Sequence, residues 1–204
     1  METWIKPLGG IAALAALIYA FSGIWSGLRR PVGHAYGRAP GLLRSTVFYI
    51  LASLLFFGAC ILLWRPLPVT LSPAVQTLAL VVGSGLYFPG LGLYVWGRMA
   101  LGQMYFVSTT LGAELFSDHR LVTHGPYALV RHPMYLACML AALGGLCIYQ
   151  TWTTVVLVPV SLMLTFRARR EEQALSARFG LAWQEYARKV PAWLPRLRRR
   201  NEIT

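Results

Sequence analysis

At 204 residues the chain has the length of one or two small domains, but 56% of its residues are hydrophobic and only 13% are charged, which excludes an ordinary soluble protein. A formal charge of +12 would suit nucleic acid. The Lys and Arg residues instead cluster between and after long apolar runs, with no aromatic–basic platform, so the charge reads as facing a membrane and no nucleic-acid partner is expected.

An apolar run of about 20 residues crosses the hydrocarbon core as a helix. Five such runs are predicted, at roughly 7–28, 45–64, 73–97, 133–149 and 152–166. The first is no signal peptide, because only Lys6 precedes it and the run is too long. The third carries Gly83, Gly85, Gly90, Gly92 and Gly97 around Pro89, the composition of a kinked packing helix. These three helices read as a membrane scaffold over residues 1–98, and the Pro- and Gly-rich connector from Arg29 to Arg44 carries no motif. Cys60, Cys138 and Cys147 fall inside the runs, form no CxxC pair, and read as small apolar residues.

Residues 99–204 read as the catalytic region. From Met99 to Arg131 the chain is too polar for lipid, with Glu114, Asp118, His119, Arg120 and His124, and a connection this long is expected to be functional and ordered. Pro133 stands where the fourth helix begins, a position where its missing N–H costs nothing. The free N–H groups of that helix end favour an electron-rich neighbour. Ala137, Ala141, Ala142, Gly144 and Gly145 are predicted to pack the fourth helix against the fifth in a tight hairpin turning at Gln150 and Thr151. The fifth helix is expected to continue past the membrane. Leu175, Phe179, Trp183, Tyr186 and Val190 then form an apolar stripe that covers the site, with Gly180 breaking the helix in two.

With five spans, every Lys and Arg except Lys6 and Arg65 falls on one side. By the positive-inside rule that side is cytoplasmic, leaving the N-terminus outside and the C-terminus inside. The excess of Arg over Lys points to a bacterial inner membrane.

Two polar clusters border the last two spans: His124-Gly125-Pro126-Tyr127 through Arg131-His132-Pro133-Met134-Tyr135, and Arg167 through Glu172. Arg167 and Glu171, four apart, share a helix face; the alternative is a snorkelling arginine with its surface partner. Glu172 is turned about 100° away toward another neighbour. An acid at this depth calls for a cation. Tyr127, His132 and Tyr135, joined by His119, offer hydrogen bonds and flat rings, against the alternative of an interfacial aromatic belt. The spacing of His119, His124 and His132 matches no helical metal-ligand pair, and no metal is expected. Phosphate loops and nucleophile elbows are absent from the sequence.

His119-Arg120-Leu121-Val122, Gly125-Pro126-Tyr127, Arg131 through Tyr135, and Arg167 with Glu171-Glu172 resemble the isoprenylcysteine carboxyl methyltransferase (ICMT) family and, more distantly, the phospholipid N-methyltransferases. The downstream Phe179-Gly180, Tyr186, Pro191 and Pro195 are similar too, so the likeness runs from about Tyr94 to Pro195. Trp183 stands where the family often has tyrosine. The resemblance implies an all-α integral membrane bundle of about five transmembrane helices with a cytoplasmic cofactor-binding region, using S-adenosyl-L-methionine. It puts the cofactor against His119, Arg120, Leu121, Val122, Tyr127, His132, Pro133, Met134, Tyr135 and Glu171. Arg167 falls to the substrate, and Arg167, Glu171 and Glu172 form the catalytic set. Methyl transfer needs positioning and electrostatics more than covalent help. The acceptor is expected to be a lipophilic or small molecule, with a carboxylate or thiol favoured by Arg167; an amine would need Glu172 or His124 as base. A phospholipid amine N-methyltransferase, an NADPH-linked sterol-type reductase and a non-catalytic membrane scaffold are the competing readings.

Overall fold

The computed structural model describes residues 1–28, 32–37, 45–105, 112–116 and 118–195. Of the charges used to orient the chain, Arg29, Arg30, Arg38, Arg44, Arg196, Arg198, Arg199 and Arg200 lie outside the described residues. Seven helices carry the described fold: α1 (Glu2–Leu28), α2 (Thr46–Leu62), α3 (Pro73–Leu101), α4 (Pro133–Tyr149), α5 (Trp152–Leu162), α6 (Leu164–Phe179) and α7 (Leu181–Lys189). The helical bundle expected from the sequence is therefore present. Added to it is a two-stranded antiparallel ribbon, β1 (Val32–Gly37) against β2 (Gly112–Phe116), with an irregular register between Val32 and His34. The ribbon joins two connectors that the hydropathy pattern treats as separate loops.

The helix ends follow local chemistry. Ser45 caps α2 by accepting from the Phe48 amide at 3.2 Å. Pro73 and Pro133 occupy first-turn positions, where a missing N–H is harmless. Between α4 and α5, Gln150 adopts a left-handed conformation and Thr151 forms a reciprocal capping box with Thr154. α5 passes into α6 through Met163, whose torsions are still helical, so the fifth helix runs on as expected. Gly180, at φ 52°, then separates α6 from α7.

Two helices, Glu2–Gly23 and Pro73–Met104, are long and apolar enough by themselves to cross a bilayer, while α2 and α4 are apolar but shorter. At 17 residues each of these rises about 26 Å, just under a hydrocarbon core of about 30 Å. α2 has no buried residue, and Ile50, Leu54, Leu55 and Ile61 all face outward. An apolar surface of that extent suits lipid and not water.

The tightest seam is between α3 and α4. A Cβ on Gly144 would stand 2.5 Å from the Tyr87 amide nitrogen and 2.6 Å from the Gly83 carbonyl oxygen. One on Gly90 would stand 2.9 Å from the Ala141 nitrogen and 3.0 Å from the Ala137 oxygen. The small face of α4 thus packs mainly on α3. This corrects the expectation that it serves the α4–α5 hairpin, because the glycines of both long helices interlock backbone to backbone. α1 is tied alongside by Tyr87, which donates to the Gly9 carbonyl at 3.2 Å, and by Tyr149, which donates to the Lys6 carbonyl at 2.9 Å.

At the end of the bundle away from the start of α4, the Leu67 amide donates to the Gln150 carbonyl at 2.8 Å, the Trp152 amide to the Arg65 carbonyl at 3.1 Å, and the Thr153 hydroxyl to the Cys60 carbonyl at 2.7 Å. The α2–α3 and α4–α5 connections are stitched together there. The other end is left for the polar clusters.

Candidate active site

The start of α4 and the exposed half of α6 meet. Tyr135, in the first turn of α4, donates its phenol proton to Glu171 Oε2 at 2.8 Å. Arg167, one turn earlier on α6, holds its guanidinium over the Tyr135 ring, 5.4 Å from the centroid. Arg167 and Glu171 therefore do share a working face, with Tyr135 between them.

Beside this pair, Glu172 turns to a different neighbour, as its helical position requires. Its Oε1 accepts from Arg131 Nε at 2.8 Å and lies 2.8 Å from His132 Nε2. Burial raises the pKa of the Glu172 carboxyl, but the hydrogen bonds from His132 and Arg131 outweigh it and hold the group below the ordinary carboxylate value of 4.5. Arg131 also donates to the Ala187 carbonyl at 2.9 Å and the Val190 carbonyl at 2.8 Å. The backbone repeats the attachment, since the Arg131 amide donates to the Pro191 carbonyl at 2.8 Å and the His132 amide to the Ala192 carbonyl at 3.2 Å. One arginine thus fastens the end of α7 to the entrance of α4. His132 is buried, stacked on Tyr135 with ring centroids 5.7 Å apart.

These contacts enclose a cavity of about 330 Å³, at the small end of the range for small-molecule sites. His119, Arg120, Leu121 and Val122 form one side of it, outside any helix or strand. The Arg120 amide is held by the Met104 sulfur at 3.3 Å. Tyr127, His132, Met134 and Tyr135 form a second side, and Arg167 with Glu171 a third. α7 closes it with Trp183 and Tyr186, so part of the amphipathic stripe lines the cavity, while Phe179 and Val190 stand off its wall. Tyr186 is fixed by donating to the Tyr127 carbonyl at 2.7 Å.

Three of the expected residues stand elsewhere. Pro133 is fully buried where α4 begins and is not on the wall. Glu172 is off the wall, committed to Arg131 and His132. His124 is exposed at the start of the short turn Gly125–Ala128.

Among the described wall residues Glu171 is the one carboxylate, facing Arg120, Arg131 and Arg167. Five tyrosines share the wall: Tyr94, Tyr105, Tyr127, Tyr135 and Tyr186. Burial pushes the Tyr127 phenol well above its usual 10, and the nearby Glu171 charge pushes it further. Burial carries Tyr186 up to about 12 against the lowering pull of Arg131. Both stay protonated donors at neutral pH.

Sequence reasoning missed Tyr94 and Tyr105 as wall residues, and Arg131 as the fastening. It also missed Leu17, Ala20 and Phe21, which α1 supplies to the cavity. Their only mark in the sequence is tyrosine and arginine at the membrane-facing ends of α3 and α4. Apolar residues of α1 carry no such mark, because lipid and a cavity ask for the same side chains.

Residues 84–177 match the isoprenylcysteine carboxyl methyltransferase (ICMT) family. The chain is 32% identical over 114 residues to the protein-S-isoprenylcysteine O-methyltransferase of Schizosaccharomyces pombe, covering 55% of this chain and 48% of that protein. It is 31% identical over 162 residues to the cobalt-zinc-cadmium resistance protein CzcN of Cupriavidus metallidurans, covering 77% of this chain and 63% of that one. A probable protein-S-isoprenylcysteine O-methyltransferase of Oryza sativa subsp. indica is 37% identical over 80 residues, 38% of this chain and 42% of the relative. The chain thus spans about half the length of the curated relatives it matches.

Proposed function

We propose that this chain, which residues 84–177 identify as a member of the isoprenylcysteine carboxyl methyltransferase family, is a membrane-embedded, S-adenosyl-L-methionine-dependent methyltransferase. The observation that carries the reading is the convergence of Tyr135, Arg167 and Glu171, from opposite arms of the α4–α6 hairpin, on one cavity. Sequence places Tyr135 more than thirty positions from Arg167 and Glu171; the fold brings all three to one cavity wall.

The wall suits this cofactor. Glu171 offers the one carboxylate among the described wall residues for its ammonium or sulfonium charge, and the tyrosine faces offer the electron-rich surface on which such cations rest. Leu121 and Val122 present an apolar edge for a flat heterocycle. His119, Arg120, Tyr127, His132 and Met134 complete the enclosure, with Pro133 bracing the turn behind it. When bound, the cofactor supplies an activated methyl group.

What the protein supplies is position and charge. Tyr135 aims the Glu171 carboxylate by hydrogen bond. Arg167 holds the acceptor's acidic group, favouring a carboxylate or thiol, which needs no base. Glu172 positions Arg131 and His132, which keep α7 closed and water out. Fixing both reactants in line is where most of the rate comes from.

In the same proposal the chain spans the membrane five times, with the site, α6 and α7 on the cytoplasmic side. The soluble cofactor enters from the cytoplasm and a lipophilic or small acceptor from the lipid. A bacterial inner membrane fits the arginine-rich composition. Metal handling, named in the CzcN relative, is not carried over: among the described residues no group of three His, Cys, Asp or Glu stands together.

Isothermal titration of the purified chain in detergent with S-adenosylmethionine and with NADPH tests the class. Binding of the first alone is expected; binding of NADPH alone would replace the reading with a reductase, and binding of neither with a scaffold.

A further inference from the structure

We propose that Tyr94 and Tyr105, held in place by the buried Arg98, form the part of the cavity that recognises the methyl acceptor. The inference rests on the methyltransferase reading above.

The cavity that holds Glu171 and the Arg167–Tyr135 pair is also walled by Leu17, Ala20, Phe21 and Leu101, and by Tyr94 and Tyr105, whose phenol oxygens lie 3.3 Å apart. Two hydroxyls in mutual contact share one proton between them, which leaves the second O–H to donate elsewhere. An apolar molecule carrying one oxygen- or sulfur-centred acceptor group satisfies that donor, and the surrounding Leu and Phe side chains hold the rest of it.

Arg98 sets the charge beside these phenols. It is 7% exposed, and its guanidinium lies 4.1 Å from the Tyr105 ring centroid and 5.1 Å from that of Tyr19. One nitrogen donates to the Gly102 carbonyl at 3.0 Å, and no carboxylate pairs with Arg98 among the described residues. A buried cation stacked on the ring draws electron density from Tyr105 and makes its hydroxyl a stronger donor. Its positive field favours an acid head over an amine. Arg98 does not line the cavity, so it acts through Tyr105 as a positioning residue.

The close approach that permits this is at Gly23 of α1. A Cβ there would stand 2.6 Å from both Arg98 Nε and Tyr105 Cδ1. Gly23→Ala therefore displaces the Arg98–Tyr105 stack from outside the cavity, giving a lever that touches neither reactant.

The test uses the full chain in phosphatidylglycerol–phosphatidylethanolamine nanodiscs with radiolabelled S-adenosylmethionine. Three probes are offered: an N-acylated S-isoprenylcysteine with a free carboxylate, a long-chain thiol, and the phosphatidylethanolamine itself. Wild type is expected to methylate the carboxylate or thiol probe in preference to the amine. Tyr94→Phe, Tyr105→Phe and Gly23→Ala should each raise the acceptor KM about tenfold while the cofactor Kd moves less than about twofold. Arg98→Met should do the same, and Arg98→Lys should restore part of the loss by keeping the charge. An unchanged acceptor KM overturns the inference, as does a parallel loss of cofactor affinity or a preference for the amine. If Arg98→Met fails to fold, the two phenylalanine variants decide. A wild-type chain that binds the cofactor but methylates no probe also sinks the inference and leaves the cofactor site standing; one that binds no cofactor sinks the methyltransferase reading itself.

Discussion

Glu172 Oε1 lies 2.8 Å from Arg131 Nε, across 41 residues of sequence. That contact joins α6 to the entrance of α4, and through the two carbonyls that Arg131 also holds it reaches the end of α7. Removing the carboxylate leaves a half-buried guanidinium with less to bind. Glu172→Ala should therefore lower stability by about 1–3 kcal/mol, the cost of an unmade charge-assisted bond. A thermal melt in detergent reads this as a lower midpoint, together with faster proteolysis within α7.

The same pair sets a pH dependence. The folded pKa of Glu172 is depressed below 4.5 by its partners, so its stabilisation is fully present above the unfolded value. It is lost as pH falls from there through the lower folded value. Melting midpoints of wild type measured downward from about pH 6 should fall more steeply than those of Glu172→Gln. Parallel curves would mean the pair contributes nothing.

Glu171→Gln should weaken S-adenosylmethionine binding by about 1–3 kcal/mol, since one charge-assisted contact is lost. Tyr135→Phe, which removes only the bond that aims Glu171, should cost less, about 0.5–1.5 kcal/mol. Titration calorimetry on both variants checks the order. Equal affinities to wild type would make Glu171 a surface partner and nothing more.

Arg167→Ala should leave the cofactor Kd nearly intact and reduce turnover about ten- to a hundredfold, because it withdraws a charge from the acceptor and not from the cofactor. The reverse pattern, weak cofactor binding with normal turnover at saturation, would exchange the roles of Arg167 and Glu171.

Gly144→Ala tests the packing that sets the site. Its new methyl meets backbone atoms of Tyr87 and Gly83, which have no rotamer to turn away. α3 and α4 must separate, at a cost of about 1–3 kcal/mol or more. Gly85→Ala, where a Cβ meets nothing within 4 Å, should be neutral in the same melt.

Much of this was legible before the structure. Pro133 starting a helix, Gly180 ending one, and Arg167 sharing a face with Glu171 all follow from local rules, and local rules suffice when the cause is a missing N–H, a backbone torsion or a 3.6-residue repeat. The partner of a helix face does not follow from them. Ala141 and Gly144 announce close packing but not against which neighbour, and α3 took them because its own glycines were in register. The β1–β2 ribbon escaped for a related reason: two short segments, neither a strand by itself, pair only once the helices bring them together. Tyr94 and Tyr105 sit where an aromatic belt would put them, and nothing in the local sequence separates a belt tyrosine from one on a cavity wall.

The cavity borrows two of its sides from beyond the segment that matches the family. α1 lends Leu17, Ala20 and Phe21, and α7 lends Trp183 and Tyr186, all outside residues 84–177. A fragment trimmed to the recognisable core would carry the charged residues intact and still be a cup with two walls missing. The charged residues lie within the family match, and two walls of the container come from outside it.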